Sequence, residues 1–223
     1  QWDISSFVTG SEPTPAPVAA PAAPAAPAPV APVMQMAGAE SRIIPDKMPE
    51  YVKWGHHSDV ERILRSGEFY PIYVTGLSGN GKTTMILQAA ANAKRTCFRV
   101  NITRQTDESD LIGGFRLVNG DTVWVDGAAI LAAKEGAILL LDEIDLGGPA
   151  LMCLQPLLEG NAIYVKKTGE WVTPKAGFTV VATANTKGKG DETGSFAHTG
   201  IMNEAMLDRF PVTLEQPYAT EAK

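Results

Sequence analysis

Cysteine is scarce in this chain, and its scarcity bears on both fold and cellular setting. The 223 residues hold two cysteines, Cys97 and Cys153, far apart and with no metal-ligand spacing around either. That count argues against a disulfide framework and against a cysteine-based metal site. No apolar stretch approaches the ~20 residues of a membrane span. No secretory signal is visible, although the chain begins with Gln1 rather than Met. We expect two buried, reduced thiols in a cytoplasmic protein.

Basic residues are outnumbered by acidic ones. The chain has 19 Lys and Arg against 25 Asp and Glu, a net charge of −6. This balance argues against a protein whose main task is to bind nucleic-acid phosphates, so a nucleic-acid partner is not expected. Hydrophobic residues make up 44% of the chain, which is enough for one ordinary domain with a real core, plus a tail.

The first part of the chain has a composition that cannot pack a core. Residues 13–33 are almost wholly Pro, Ala and Val, and frequent proline favours the polyproline II conformation of a semi-rigid spacer. The residues before this stretch, which include Trp2 and Phe7, are a docking peptide, the end of a lost N-terminal domain or a disordered tail. The predicted segments are a short N-terminal segment, a disordered linker, a folded domain and the start of a further C-terminal region: 1–12, 13–42, 43–217 and 218–223.

One run of eight residues fits the phosphate-binding (Walker A) pattern G-x-x-x-x-G-K-[ST]. A β-rich stretch over residues 71–75 precedes it and a helical pattern over residues 84–94 follows it. Glycines let backbone N–H groups face phosphate oxygens, and the N-terminus of the following helix adds partial positive charge. Lys82 is placed to reach the β- and γ-phosphates, and Thr83 to ligate Mg²⁺. The residues predicted to bind nucleotide here are Gly76, Leu77, Ser78, Gly79, Asn80, Gly81, Lys82, Thr83 and Thr84.

The rest of the domain alternates strand and helix patterns. Strands alternating with helices predict an α/β fold with a largely parallel sheet. Two hairpins interrupt this alternation, and the first turns at Asn119-Gly120, a pair that suits a tight primed turn. The predicted strands span 97–102, 137–141 and 178–182, the helices 58–66, 127–134 and 151–159, and the hairpins 115–125 and 162–173.

Two polar strand ends complete a candidate nucleotide site. The apolar strand over residues 137–141 ends in Asp142 and Glu143, and the strand over 178–182 leads to Asn185. The carboxyl ends of parallel strands face the ligand crevice, so we expect these side chains beside the phosphate loop. Asp142 would help hold Mg²⁺ through its water, Glu143 would polarise the attacking water, and Asn185 would hydrogen-bond the γ-phosphate. Taken alone, the carboxylates also suit a solvated acidic turn and Asn185 a strand-end turn.

Together these motifs resemble the AAA+ ATPases and, within them, the MoxR-type branch. The likeness covers residues 43–217 and rests on the phosphate loop, on Asp142-Glu143, on Asn185 and on the segment 204–210. Residues 110–115, which lead into the first hairpin, resemble the helix-2 insertion of that branch, and the second hairpin resembles its pre-sensor-1 hairpin. Within the branch the chain looks most like the ATPase subunit of aerobic cobaltochelatase, including versions carried by tailed phages.

The resemblance implies a P-loop NTPase α/β/α sandwich with a mainly parallel sheet and two β-hairpin insertions. It also implies a C-terminal helical lid, which we expect to be absent or truncated because the chain stops at Lys223. The catalytic residues that it implies are Lys82, Glu143, Asn185 as sensor 1, and Arg209 as an arginine finger that reaches a neighbouring subunit's ATP. The alternative for Arg209 is a structural ion pair with Asp208 or Glu204.

The implied ligands and partners follow from the same resemblance. ATP and Mg²⁺ are expected, with the metal held by Thr83 and Asp142. GTP stays open, although Asn185-Thr186-Lys187-Gly188-Lys189 has no Asp two places after Lys187 to recognise guanine. The implied assembly is a homo-oligomeric ring, a hexamer, in the cytoplasm of a cell or of a phage host.

Two classes of function are compatible with these motifs. The first is an ATPase that remodels a partner protein, either a chelatase-like large subunit or, as a MoxR-like chaperone, a metalloenzyme under maturation. The second is a non-catalytic scaffold that assembles on ATP. Intact Lys82, Thr83, Asp142 and Glu143 favour the enzyme, because a scaffold does not need an activating carboxylate.

Several side chains outside the motifs also carry expectations. Trp124 and Trp171 are predicted to pack rather than to contact a partner. His56-His57 has no nearby third ligand for a metal, and we predict a helix-capping region with two exposed imidazoles. Charged residues of the hairpins such as Arg116 are either working parts of the ring or an ordinary solvated face.

Overall fold

The computed structural model describes residues 44–186 and 204–218. The predicted N-terminal segment, the linker over residues 13–42, residues 219–223 and Lys187 of the guanine argument lie outside the described residues. Within the described ranges, no helix is long and apolar enough to cross a bilayer.

The described part of the chain contains nine strands, of which all but the last were predicted from the sequence. They are β1 (Ile72–Thr75), β2 (Cys97–Asn101), β3 (Gly113–Val118), β4 (Asp121–Asp126), β5 (Ile138–Asp142), β6 (Ile163–Val165), β7 (Glu170–Val172), β8 (Thr179–Thr183) and β9 (Val212–Glu215). The α-helices there are α1 (His57–Ser66), α2 (Lys82–Ala93), α3 (Glu108–Leu111), α4 (Ala128–Glu135), α5 (Gln155–Leu158) and α6 (Glu204–Leu207).

Five strands form the central sheet in the order β2-β5-β8-β1-β9. All four neighbouring pairs are parallel. The carboxyl ends of β1, β5 and β8 therefore lie at the same edge, where the phosphate loop leaves β1. The prediction of an α/β fold with a largely parallel sheet is confirmed.

The core lies on both faces of this sheet because successive strand residues point to opposite sides. In β5, Leu139 and Leu141 belong to one buried cluster, which also takes in α4 and α5. Ile138 and Leu140 belong to the other, which takes in α1 and α2. A strand that is buried on both faces reads as a continuous apolar run, as β5 does. The result is the three-layered α/β/α sandwich.

Both predicted hairpins are present outside the central sheet. β3 pairs with β4 and β6 with β7, each pair antiparallel. Asn119 at φ 53° and Gly120 at φ 94° form the turn of the first, as a primed turn requires. Trp124 is buried as predicted.

The packing prediction for Trp171 is wrong, because this residue is 68% exposed. Val172, its neighbour on β7, takes the inward position in the core, so strand alternation turns Trp171 outward. There it contacts Tyr164 on β6, with ring centroids 5.2 Å apart.

The prediction of two exposed imidazoles is also wrong for His57, which is fully buried. His57 Nε2 lies 3.0 Å from Glu61 Oε2 one turn along α1, and its Nδ1 lies 3.1 Å from the Tyr51 hydroxyl. Burial lowers the pKa of His57 against the opposing effect of the Glu61 hydrogen bond. His56, which precedes α1, is partly exposed.

One predicted helix is divided. Residues 151–159 begin as a 3-10 helix, Pro149–Leu154, and continue as α5. Pro156 has no N–H to donate to the carbonyl of Met152, so a continuous α-helix cannot form there. The expectation of two buried thiols is correct for Cys97 but wrong for Cys153, which is only partly buried; both cysteines are free. Burial raises the pKa of each thiol to about 12.

Candidate active site

The phosphate loop between β1 and α2 depends on glycines with positive φ. Gly76 has φ +143° and Gly81 has φ +74°. A Cβ on Gly76 would lie 2.6 Å from the backbone oxygen of Gln216, and one on Gly81 would lie 2.7 Å from the Trp54 ring. The sequence folds this way locally because only glycine permits both the backbone angles and these close approaches.

A cavity of about 330 Å³ lies beside this loop. The residues that line it come from the loop, the start of α2 and the ends of β5 and β8: Ser78, Gly79, Asn80, Gly81, Lys82, Thr83, Thr84, Asp142, Glu143, Thr183 and Asn185. The structure thus brings together most of the residues that the sequence predicted for the site. Gly76 and Leu77 are not among the residues that line the cavity.

Lys82 is held by the loop that it would use. Four oxygens lie within hydrogen-bond distance of its Nζ, which has three N–H groups to donate: Gly76 O at 2.7 Å, Leu77 O at 2.9 Å, Asn185 Oδ1 at 3.1 Å and Asn80 Oδ1 at 3.2 Å. Burial lowers the pKa of Lys82, and nearby carboxylates oppose that change, Asp145 most strongly. The ammonium group is therefore already positioned at the cavity, next to the predicted sensor.

Asp142 is almost fully buried, and both of its oxygens accept hydrogen bonds. Oδ1 accepts from the hydroxyls of Thr83 at 2.8 Å and Thr183 at 2.5 Å. Oδ2 accepts from Arg99 Nε at 3.0 Å and Nη2 at 2.5 Å. The Thr83–Asp142 contact joins the two residues that were predicted to hold the metal.

Sequence reasoning missed Arg99 and Thr183. Asn101 on β2 lies opposite Asp142 on β5, so the adjacent strand carries Arg99 to the carboxylate. The available signal was a charged residue near the end of a predicted strand, but the sequence did not show which strand would be its neighbour.

Glu143 follows β5 in a left-handed conformation, φ 58° and ψ 46°. A residue with a β-carbon adopts this conformation at a cost of about 1–2 kcal/mol. Its N–H donates to Thr183 Oγ1 at 2.9 Å. The turn places the partly exposed carboxylate at the wall of the cavity, where a base would need to be.

Arg209 is not among the residues that line this cavity. Its Nε donates to Glu159 Oε1 at 2.7 Å, and its Nη1 donates to the carbonyl of Ala205. The carboxylate partner is therefore Glu159, not Asp208 or Glu204 as the ion-pair alternative expected. Within one subunit the structure does not bring Arg209 to the phosphate loop.

Comparison with known proteins agrees with this geometry. The sequence profile of the AAA domain family, dynein-related subfamily, matches residues 71–201. Aerobic cobaltochelatase subunit CobS of a Sinorhizobium species is 30% identical over 186 residues, which are 81% of this chain and 56% of that protein. Protein NorQ of Paracoccus denitrificans is 35% identical over 117 residues, 52% of this chain and 43% of that protein. The chain spans about half the length of these curated relatives.

A solved structure supports the fold independently. The crystal structure of a candidate ATPase from Cytophaga hutchinsonii superposes with a TM-score of 0.57 at 20% identity, covering 75% of this chain and 48% of that one. The family match extends from β1 to beyond Asn185, and so includes the phosphate loop and the carboxylates after β5. The chain belongs to the AAA domain family, in its dynein-related, MoxR-like subfamily of ATPases.

Proposed function

We propose that this protein binds and hydrolyses ATP with Mg²⁺, within a homo-oligomeric ring, and uses the energy to remodel a partner protein. The observation that carries the proposal is the convergence of Lys82, Thr83, Asp142, Glu143 and Asn185 on one cavity. A site that only bound nucleotide would not need the carboxylate of Glu143 in a conformation that costs free energy.

The residues at the cavity fit Mg²⁺. Thr83 offers a hydroxyl oxygen and Asp142 a carboxylate oxygen, and the two are 2.8 Å apart. Within the described residues no group of three His, Cys, Asp or Glu side chains forms an all-protein metal site. A site with few protein oxygens suits Mg²⁺, which keeps several of its waters. When bound, the metal neutralises charge on the β- and γ-phosphate oxygens.

Side chains of the protein bind the phosphates, activate the attacking water and stabilise the transition state. The Lys82 ammonium exchanges its carbonyl partners for phosphate oxygens, and loop N–H groups hold the β-phosphate. Glu143 accepts a proton from the attacking water. Asn185, which Lys82 contacts at 3.1 Å, orients that water against the γ-phosphate. Arg209 of a neighbouring subunit supplies positive charge to the transition state once it leaves Glu159.

The proposed partner rests on similarity. Because the match to the cobaltochelatase subunit CobS covers 81% of this chain, we propose as the partner a chelatase-like large subunit that holds the metal and its acceptor. The match to NorQ at 35% identity favours, as a second candidate, a MoxR-like chaperone role in metalloenzyme maturation. Free Cys97 and Cys153 suit the reducing cytoplasm, of a cell or of a phage host, as the place of action.

Replacement of Glu143 by Gln tests the catalytic proposal. The amide keeps the shape of the side chain but cannot accept the proton, so turnover is expected to fall by about 10²- to 10⁴-fold. Binding of a fluorescent ATP analogue with Mg²⁺ is expected to stay within about threefold of the parent, since Glu143 does not hold the phosphates.

The control is Glu135→Gln, an exposed carboxylate at the end of α4, which removes the same charge away from the cavity. Phosphate release at the parental rate by Glu143→Gln would eliminate Glu143 as the base. Loss of analogue binding in that variant would instead assign Glu143 to the binding of nucleotide.

A further inference from the structure

Asp145 is a buried charge to which no role in catalysis has been given. It is fully buried in the 3-10 turn Ile144–Leu146, two residues after Glu143. Burial of a carboxylate is costly unless donors compensate it. The donors that reach it therefore indicate why it is kept.

Three donors from one turn converge on a single oxygen of Asp145. Oδ2 accepts from Asn185 N at 2.9 Å, Thr186 N at 3.0 Å and Thr186 Oγ1 at 3.0 Å. This turn follows β8 and carries the predicted sensor. Asp145 thus binds the backbone of the turn that carries the Asn185 side chain.

The opposite side of the same turn is fixed by β1. The carbonyl of Thr186 accepts hydrogen bonds from the Tyr73 hydroxyl at 3.1 Å and Thr75 Oγ1 at 2.9 Å. With its N–H groups on Asp145 and its carbonyl on β1, the turn has little freedom to rotate. This leaves Asn185 Oδ1 directed at Lys82 Nζ.

Among the described residues, the second oxygen of Asp145 differs from the first in its hydrogen bonding. Oδ1 has no hydrogen bond to any residue of the described ranges although it is inaccessible to solvent. A residue selected for stability alone would be expected to satisfy both oxygens. The charge of Asp145 also favours the protonated form of Lys82. Asp145 could therefore serve the site through this charge or through its hydrogen bonds to the sensor turn.

We propose that Asp145 is a positioning residue that acts through Asn185. It fixes the sensor turn to the segment that carries Glu143, so that base and sensor keep a constant relation around the attacking water. This inference rests on the proposed role of Asn185 in hydrolysis.

A double-mutant cycle tests the coupling. Asp145→Ala is expected to lower kcat by about 10- to 100-fold with KM for ATP changed by less than about threefold, as for Asn185→Ala. In the Asn185→Ala background the same substitution is expected to cause little further loss, because the residue through which it acts is gone. Thr186→Val removes one of the three donors, and a smaller loss with the same dependence on Asn185 is expected.

Asp145→Asn separates hydrogen bonding from charge. An amide oxygen keeps an acceptor for the N–H groups of residues 185 and 186, and its NH₂ group can take the place of Oδ1, so this variant is expected to recover most of the turnover that alanine loses. A loss of turnover as large as that of Asp145→Ala would mean that the negative charge of Asp145 acts on Lys82, and would overturn the proposal.

A binding measurement gives a second readout. With Mg²⁺, the preference for a non-hydrolysable ATP analogue over ADP reports contacts to the γ-phosphate. Asp145→Ala and Asn185→Ala are expected to reduce this preference equally, and by less than about threefold, in keeping with the small change in KM. If the double variant loses turnover by the product of the two single losses, or if ADP binding weakens as much as binding of the ATP analogue, Asp145 does not act through Asn185. Either result would overturn the positioning role of Asp145 and leave the proposed function intact. Full turnover by Asn185→Ala would remove the proposed sensor itself, and the inference with it.

Discussion

Arg99 and Asp142 form a charge pair in which two guanidinium nitrogens bind one carboxylate oxygen, Nε at 3.0 Å and Nη2 at 2.5 Å. The carboxylate is 3% exposed and the arginine side chain 48% exposed. The pair leaves the other oxygen to Thr83 and Thr183. Arg99 therefore fixes the orientation in which the proposed metal-binding oxygen faces the phosphate loop.

Replacement of Arg99 by Met is expected to lower the free energy of unfolding by about 1–2 kcal/mol. Charge-assisted hydrogen bonds contribute about 1.5–3 kcal/mol, and solvent screening of the half-exposed arginine reduces this figure. Urea unfolding without nucleotide measures the change. The matched control is Arg62→Met, which breaks the exposed pair with Asp59 and should cost no more than about 0.5 kcal/mol. Equal losses in both variants would contradict a special role for the Asp142 pair.

Two glycines of the phosphate loop allow the cost of a steric clash to be separated from the cost of a left-handed backbone conformation. Gly79→Ala, at φ +77° with no atom within 4 Å of the added Cβ, should cost about 1–2 kcal/mol for the left-handed conformation alone. Gly76→Ala should cost clearly more, because its Cβ would also lie 2.6 Å from the Gln216 backbone oxygen. Unfolding of the two nucleotide-free variants in parallel checks the order. If Gly79→Ala is the less stable, the close approach of Gln216 does not constrain the loop.

Local patterns predicted most of the fold and the centre of the site. The continuous apolar run of β5 and the glycine signature before α2 both report on their own neighbourhood, so the sheet, the loop and Asp142-Glu143 could be read directly. β9 and α6 were not predicted, since four-residue elements give little periodicity.

The missed contacts share a different cause. The function of Arg99 depends on the pairing of β2 with β5, and that of Asp145 on the return of the chain after β8. Both are contacts between residues about 40 positions apart, which composition and spacing do not encode. His57 was misjudged for the same reason, because Asn92 Nδ2 in α2, 35 positions further along the chain, lies 3.4 Å from its Nε2.

Stability is expected to decrease as the pH falls from about 7 to 5, with His57 as the first cause. Burial lowers the pKa of His57 in the folded protein from 6.5. As the pH falls through 6.5, the unfolded chain therefore binds a proton at this residue before the folded protein does, and the free energy of unfolding decreases. The pKa of Glu61 is lowered from 4.5, chiefly by the hydrogen bond from Lys53, which adds a second loss below that pH.

The free energy of unfolding of His57→Gln, measured at pH 7, 6 and 5, should vary less with pH than that of the parent. Ser58→Ala, exposed on the same turn of α1, removes no ionisable group and should keep the parental slope. An unchanged slope in His57→Gln would show that other groups control the acid response.

Arg209 is held by Glu159 within its own subunit, so its role in a neighbour's site needs a test that requires two subunits. Arg209→Ala and Glu143→Gln should each be nearly inactive, and the turnover of Arg209→Ala should be lower than that of the parent by about 10³-fold or more. Mixed in equal amounts, they should regain turnover, because a subunit with an intact Glu143 can receive Arg209 from its neighbour. Glu159→Gln breaks the ion pair but keeps the arginine, and should retain turnover within about threefold of the parent if the pair only stores the side chain. Mixtures that remain as inactive as their components would place the action of Arg209 within a single subunit, as a structural contact to Glu159.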